Sequence, residues 1–400
     1  MHVVIVGSGP SGLVLSLLLS KAGIKVTLLD AGSTVDDRPR AAHYAPSAIR
    51  VLREAGVLDD VRKEGFIPRD FTWRKRDGSK VASIMDTVES RGPDGLTVLP
   101  LNMLGQVLLA HAMKKANIEI KWNHTVTSVG QDDTSVWAEA KLKDGTVVKT
   151  TGDYLCGCDG ANSEVRKSLF GDVFEGKTWD AQIVATNVYY PLHDFGFSDI
   201  NNIIHPEDYY MAAIISKDGM WRVSYGEDPS FTIEQVRANQ PIKFERMLPG
   251  NPKPSDYKIT NVGPYRIHQR CAESFRVGKI TLAADAAHLV NPFGGMGLTG
   301  GIVDVGGLAE CLIGIEKGLA NDDILDKYSE IRIQKWKDYI NPISSDNFLR
   351  VSATDPENPF EKDELLRLVK SMEDDETGEI KKSFDESVYD ICHDFKQYYN

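Results

Sequence analysis

The sequence is short of several features that would fix a function quickly. Its five cysteines, Cys156, Cys158, Cys271, Cys311 and Cys392, form no C-x-x-C pair. Neither a structural zinc site nor a dithiol redox centre is therefore expected, and reduced thiols in a cytoplasmic protein fit best. Basic residues are in deficit, 46 against 58 acidic, for a formal net charge of -12. Such a surface repels phosphate backbones and anionic membranes, so nucleic acid is not an expected partner. No long apolar run is present: the longest, near residues 13–19, is too short to span a bilayer and is interrupted by Ser16. No basic segment or cleavage pattern follows Met1-His2, so a secretory signal is not expected.

What is present reads as a two-part globular enzyme. A chain of 400 residues exceeds what one hydrophobic core usually supports. The first thirty residues predict strand, turn, helix and strand: Val3 to Val6 is a continuous apolar run, residues 13–22 are helical, and residues 25–29 form a second strand. A helix is expected over 39–55 and another over 104–116. Between 119 and 150 four short strands follow, the last three forming a small sheet with a turn at Asp144-Gly145. Residues 181–265, rich in aromatic and β-branched side chains, read as a mostly antiparallel sheet. A buried strand at 279–283 and a long helix over 297–317 return to the first unit. The fold class expected is mixed α/β. A Rossmann-like dinucleotide-binding domain (1–70, 101–180 and 266–345) is interleaved with a β-sheet domain (71–100 and 181–265), and a helical extension follows (346–400).

The turn Gly7-Ser8-Gly9-Pro10-Ser11-Gly12 is G-x-G-x-x-G between strand and helix. Gly7 makes the tight turn, Gly9 lets backbone approach a pyrophosphate, and Gly12 lets helix and strand pack closely. The helix start offers unpaired N–H groups and the positive end of a dipole. Asp30 ends the second strand 18 residues after Gly12 (30 minus 12), the offset of an acid that binds a ribose hydroxyl. This constellation predicts a dinucleotide site without choosing between NAD and FAD. Residues 295–300 match the same pattern, but no strand ending in an acid follows, so a second stably bound dinucleotide is not expected.

Two later segments decide the cofactor: YLCGCDGANSEVR at 154–166 and GKITLAADAAHLVNPFGGMGLTGGIVDVGGLAECL at 278–312. With the first loop, they resemble three landmarks of the class A flavoprotein monooxygenases, the aromatic hydroxylases that include 4-hydroxybenzoate and salicylate hydroxylases. The resemblance implies that FAD is bound non-covalently by Gly7, Gly9, Gly12 and Asp30. It further implies that Asp159, beside Gly160, lies near FAD and the visiting nicotinamide, and that Asp285 holds the ribityl chain. Pro292, Gly294, Gly295, Gly297 and Leu298 pack against the isoalloxazine ring. Arg40, in Arg38-Pro39-Arg40-Ala41-Ala42, and Gln106 are further FAD contacts on the same resemblance. The sequence departs from the family pattern at Ala284, where glycine is usual, at Thr299, where asparagine is frequent, and at Leu101-Asn102, where many members carry an arginine. The spacing has its own logic: Asp285 follows a buried strand, at the carboxyl end of the sheet where open α/β sheets bind ligands. Glycines there let backbone lie against a flat ring.

The implied reaction is hydroxylation of a small aromatic or phenolic substrate, with NADPH or NADH reducing FAD and O2 forming a flavin hydroperoxide. The cofactor carries the hard chemistry, and the protein positions it and excludes water. Alternation along the strands puts Tyr210, Ala212 and Ile214 on one face, and Arg222 and Ser224 on one face. Arg222 is the candidate to hold a carboxylate or phenolate, and Tyr210 to relay a phenolic proton. His43 and His205 are further pocket candidates, and His288 a structural partner of the flavin loop. The alternatives are an FAD dehydrogenase or reductase without oxygen insertion, a Baeyer–Villiger or epoxidising variant, and a non-catalytic FAD-binding module. No two tryptophans lie two residues apart, which speaks against a halogenase, and no cysteine precedes Cys156, which speaks against a disulfide reductase.

Overall fold

The computed structural model describes residues 1–37, 42–85 and 92–400. Its first sheet has six strands in the order Arg276–Val277, Ile280–Leu282, Tyr154–Gly157, His2–Val6, Lys25–Leu29 and Ile118–Lys121. Every neighbouring pair is parallel except the first. Val3, Val4 and Ile5 are completely buried, which is why the central strand reads as an unbroken apolar run rather than an alternation. The helices Pro10–Lys21 and Met296–Glu316 belong to this unit, and their buried residues join those strands in one core. Strands Thr125–Gln131, Val136–Lys141 and Val147–Gly152 form the expected separate antiparallel sheet.

The second main sheet has eight strands. In order they are His288–Leu289, Lys258–Cys271, Gly176–Tyr189, Met220–Glu227, Tyr210–Ile214, Ile200–Ile204, Asp70–Lys75 and Lys80–Met85. It is antiparallel except where Ile200–Ile204 runs parallel to Asp70–Lys75. Two of its strands reach beyond the expected limits of 181 and 265. One face carries Trp221, Val223, Tyr225 and Tyr210 against Val236, Phe244 and Met247. The other carries Ile183, Tyr209 and Ile267 against Phe293, Phe348 and Val351.

Three expectations are corrected here. The stretch 181–265 is not β throughout: it contains the helix Ile233–Met247, which covers the outer sheet face. A capping box starts it, the Thr232 hydroxyl accepting from Gln235 N–H at 3.4 Å while Gln235 Oε1 accepts from Thr232 N–H at 2.8 Å. The helix expected over 39–55 is Pro46–Glu54. It begins at a proline, preferred at the first helical position, after His43–Tyr44 pairs as a short strand with Thr97–Val98. The helix expected over 104–116 runs Leu101–Ala112, starting after Pro100.

The C-terminal extension bridges the two units. Helices Asn341–Ser352 and Glu364–Glu373 lie on the second sheet, Leu366 and Val369 packing with Trp73. The chain then returns to Met296–Glu316, where a Cβ added at Gly307 would sit 2.6 Å from the Phe395 ring. Among the described residues, Met296–Glu316 is the one helix long and apolar enough to cross a membrane. It is a mostly buried core helix carrying the buried Asp304.

Candidate active site

The phosphate loop follows directly from its three glycines. Gly7 has φ +101°, and a Cβ there would meet the Cys158 carbonyl oxygen at 2.4 Å. A Cβ on Gly12 would lie 2.0 Å from the Gly7 oxygen. Gly9 differs: its φ is -64° and an added Cβ meets nothing within 4 Å. The protein alone gives no reason for glycine at that position, whereas a phosphate lying against the loop does. No side chain caps the helix Pro10–Lys21, which leaves its first N–H groups for such a ligand. Asp30 braces the loop, Oδ2 accepting from both Ser8 N–H and the Ser8 hydroxyl at 2.7 Å and Oδ1 from Gly32 N–H at 2.7 Å.

The second landmark is a structural joint. The Asp159 carboxylate accepts from the Ser163 hydroxyl at 2.6 Å and from the N–H groups of Glu164 and Val165 at 2.7 and 3.2 Å, opening the short helix Glu164–Phe170. Burial raises its pKa, against the lowering effect of those hydrogen bonds. Arg166, buried over the Phe174 ring, donates to the Ala286 carbonyl at 2.9 Å and ties this landmark to the third.

In the third landmark, Ala284 sits at φ +56°, a left-handed conformation that explains why glycine is usual there. Asp285 is exposed at the following position. Asn291 fixes Pro292 from behind: its Oδ1 accepts from Phe293 N–H at 2.9 Å and its Nδ2 donates to the Ser344 carbonyl at 2.8 Å. Gly294 faces Asn347 of the C-terminal extension, Gly295 has φ +66° and opens the helix Met296–Glu316, and no side chain caps that helix either. Gly297 and Leu298 lie half-buried in its first turn. The position of a Cβ on Gly301 lies 3.2 Å from Ser11 Oγ and 2.6 Å from the Ala284 Cβ, so the two uncapped helix starts and the Asp285 turn converge. Gln106 is exposed on Leu101–Ala112, and Asn102 of that helix has a buried Oδ1 without a partner among the described residues. Arg40 lies outside the described residues.

The strand register separates the two substrate-side candidates. Arg222 pairs with Ala213 and with Asn187, so it shares a face with them, while Tyr210 lies on the opposite face of its strand. Tyr210 is buried among Tyr190, Trp221 and Phe244 under the helix Ile233–Met247, on the sheet face away from Arg222. Its neighbour Tyr209 faces the flavin loop instead, with ring centroids 6.3 Å from Phe293. The Arg222 guanidinium donates to Asn187 Oδ1 through Nε at 3.0 Å and a terminal nitrogen at 2.8 Å. His43 lies close by: burial and then the Arg222 charge push its pKa down to about 4, and its Nε2 has no partner among the described residues. The His43 carbonyl lies 3.9 Å from where a Gly295 Cβ would stand, which places the histidine between Arg222 and the flavin loop. His205 is elsewhere, its Nδ1 accepting from the N–H groups of Glu207 and Asp208 in a turn. No group of three or more metal-ligating side chains occurs among the described residues.

An open phosphate loop, two converging uncapped helix starts and an acid at the carboxyl end of a sheet strand fit FAD, and with Arg222 on the second sheet they suit a flavin-dependent oxidoreductase. The chain belongs to the FAD-binding-domain family, whose model matches residues 1–341. It is 40% identical over 367 residues to a para-nitrophenol 4-monooxygenase from Pseudomonas sp. strain WBC-3, covering 91% of each chain. It is 35% identical over 353 residues to a 6-hydroxy-3-succinoylpyridine 3-monooxygenase from Pseudomonas putida, covering 86% of this chain and 88% of the relative. The crystal structure of a p-nitrophenol 4-monooxygenase from Pseudomonas putida DLL-E4 matches with a TM-score of 0.90 and 36% identity over 97% of both chains. The protein is an FAD-dependent monooxygenase.

Proposed function

We propose that this monooxygenase acts on a small phenol-like ring, bound through its hydroxyl oxygen, and oxygenates the ring carbon opposite that hydroxyl. The observation that carries the reading is the Arg222–Asn187 pair beside His43, on the sheet face turned toward residues 292–297. The names of the two relatives point the same way. Position 4 of para-nitrophenol and position 3 of 6-hydroxy-3-succinoylpyridine are both the ring carbons opposite the hydroxyl. Neither name favours a dehydrogenase, a Baeyer–Villiger or epoxidising variant, or a non-catalytic module.

FAD, when bound, supplies reduction by NADPH or NADH and activation of O2. The remaining work falls to the chain. Gly7, Gly9, Gly12 and the helix start at Pro10 hold the pyrophosphate, and Asp30 braces that loop. Asp285 binds the ribityl hydroxyls, and Pro292, Gly294, Gly295, Gly297 and Leu298 form the wall behind the ring. Asp159 orients the segment that carries Arg166, and Gln106 and Arg40 complete the cofactor's surroundings. His43, neutral at physiological pH, accepts a hydrogen bond from the substrate hydroxyl at Nε2 and orients it, while the Arg222 charge stabilises that oxygen as it becomes electron-rich. The aromatic cluster of Tyr209, Phe293 and Phe348 excludes water beside the site. Residues 1–70, 101–180 and 266–345 serve the flavin, 71–100 and 181–265 the substrate, and 346–400 joins them. Five unpaired cysteines support a reducing, cytoplasmic location.

The test is NADPH and NADH oxidation by the yellow holoenzyme across a panel of para-substituted phenols, with oxygen and peroxide followed together. The expected result is acceleration by phenols with little peroxide. Arg222→Met should raise KM for the phenol at least about tenfold, as loss of a charge-assisted contact requires. Indifference of the flavin to every phenol, or an unchanged KM in the Arg222 variant, sinks the proposal.

A further inference from the structure

We infer that Asp304 is a positioning residue for the flavin site, holding the strained turn that presents Asp285 and coupling it to the C-terminal segment. Asp304 lies in the third turn of the helix Met296–Glu316 and is completely buried. Its Oδ2 accepts from Ala284 N–H at 3.0 Å and bonds His288 Nε2 at 2.7 Å, and its Oδ1 accepts from Arg332 Nε at 2.7 Å. His288 and Arg332 are each 1% exposed, so the whole cluster is shut off from bulk solvent. Burial opposes ionisation of Asp304, but the His288 and Arg332 charges outweigh it and bring its pKa down to about 2.

A plain stabilising ion pair does not account for this arrangement. Buried ion pairs are often replaceable by apolar side chains at no loss of stability. Here the cluster also leaves His288 Nδ1 and one terminal nitrogen of Arg332 without partners among the described residues. Apolar side chains would not reproduce the hold on Ala284 N–H. Ala284 is one of three non-glycine residues with positive φ among the described residues, and it directly precedes Asp285. The turn is gripped at both ends: Asp304 takes the N–H of Ala284, and Arg166 donates to the carbonyl of Ala286. Arg332 extends the grip by donating to the Ile391 carbonyl at 2.5 Å. The flavin turn and the C-terminal segment thus share one buried carboxylate. Each should tighten when the other is in place, because coupling between sites is reciprocal.

The inference rests on Asp285 contacting FAD, and the experiment separates the two claims. Holoenzyme is diluted serially, and released FAD is read by its fluorescence in wild type, Asp304→Asn, Ala284→Gly, the double variant and Asp285→Asn. Asp304→Asn should weaken FAD retention at least about tenfold while far-UV circular dichroism stays that of the wild type. Ala284→Gly removes the left-handed penalty, so it should improve retention roughly fivefold more in the Asp304→Asn background than in the wild type. Should Asp304→Asn fail to fold, the same cycle is run on Asp304→Glu, which keeps the charge and displaces the carboxylate. Additive effects in the cycle, or FAD retention in Asp304→Asn within about twofold of wild type, overturn the positioning role. Unchanged retention in Asp285→Asn overturns the assignment of Asp285 and, with a non-additive cycle, leaves the Asp304 coupling standing.

Discussion

Alanine placed at each glycine of the phosphate loop should separate folding from flavin binding. At Gly9 the backbone is at φ -64° and the new methyl group meets no protein atom within 4 Å. Gly9→Ala should therefore leave the flavin-free protein as stable as the wild type, or more stable by up to ~1 kcal/mol, because alanine restricts the unfolded chain. The methyl group does occupy the space assigned to phosphate. A rise of at least ~1.4 kcal/mol in the free energy of FAD binding, about a tenfold loss in affinity, is expected. At Gly12 the methyl carbon would lie 2.0 Å from the Gly7 carbonyl oxygen, and at Gly7 it would lie 2.4 Å from that of Cys158 with φ at +101°. Backbone, not a flexible side chain, must yield in both. Each substitution should destabilise the protein by ~2 kcal/mol or more even without flavin. Melting curves on flavin-free protein and fluorescence of released FAD measure the two quantities separately. The reasoning is refuted if Gly9→Ala retains FAD as tightly as wild type, or if Gly12→Ala melts where the wild type does.

Three further outcomes follow from the same structure. Tyr210→Phe should leave turnover within about twofold of wild type in steady-state assays, since the hydroxyl lies on the outer sheet face; a loss above about tenfold would return Tyr210 to the site. His43 has a folded-state pKa of about 4, below its ordinary 6.5, so folding favours the neutral ring. Its contribution to stability is complete above about pH 6.5 and is lost as pH falls toward 4, by up to ~3 kcal/mol. His43→Phe should flatten that part of the pH–stability curve in urea titrations, and an unaltered curve would show that His43 is not shielded as described. Thr232→Ala removes the cap of the helix over the outer sheet face and should cost about 1 kcal/mol in urea denaturation without changing FAD retention; no loss would mean the cap is not formed in solution.

The parts of the fold that were readable from sequence are those whose determinants are local. Val3 to Val6, Gly7 to Gly12 and Asp30 lie within thirty residues, and their pattern is complete inside that span even though the oxygen packed against Gly7 belongs to Cys158. Thr232 and Gln235 form an equally local signal for the helix Ile233–Met247, but the aromatic content of its surroundings drew the reading toward strands. The substrate side depends on information that a single strand does not carry. Alternation identifies which residues of one strand share a face, yet it says nothing about register between strands. Only the pairing of Ala213 with Arg222 shows that Tyr210 points away. The buried cluster around Asp304 was hidden because its members are 16 and 28 residues apart in sequence. A lone aspartate or arginine in a helix ordinarily reads as a solvated charge.

The close fit of Gly7 against the Cys158 carbonyl also bears on how the protein is assembled over time. The complete G-x-G-x-x-G motif spans six residues, but the oxygen that shapes its first turn lies about 150 positions further along the chain, and the strand Ile280–Leu282 that flanks Tyr154–Gly157 further still. Contacts between such distant segments form slowly, since long loops must close before they are rewarded. A short fragment around the loop would therefore carry the whole motif and still lack the surface that grips a dinucleotide. Capture of the flavin becomes a late event, gated by the closing of the central sheet rather than by synthesis of the loop itself.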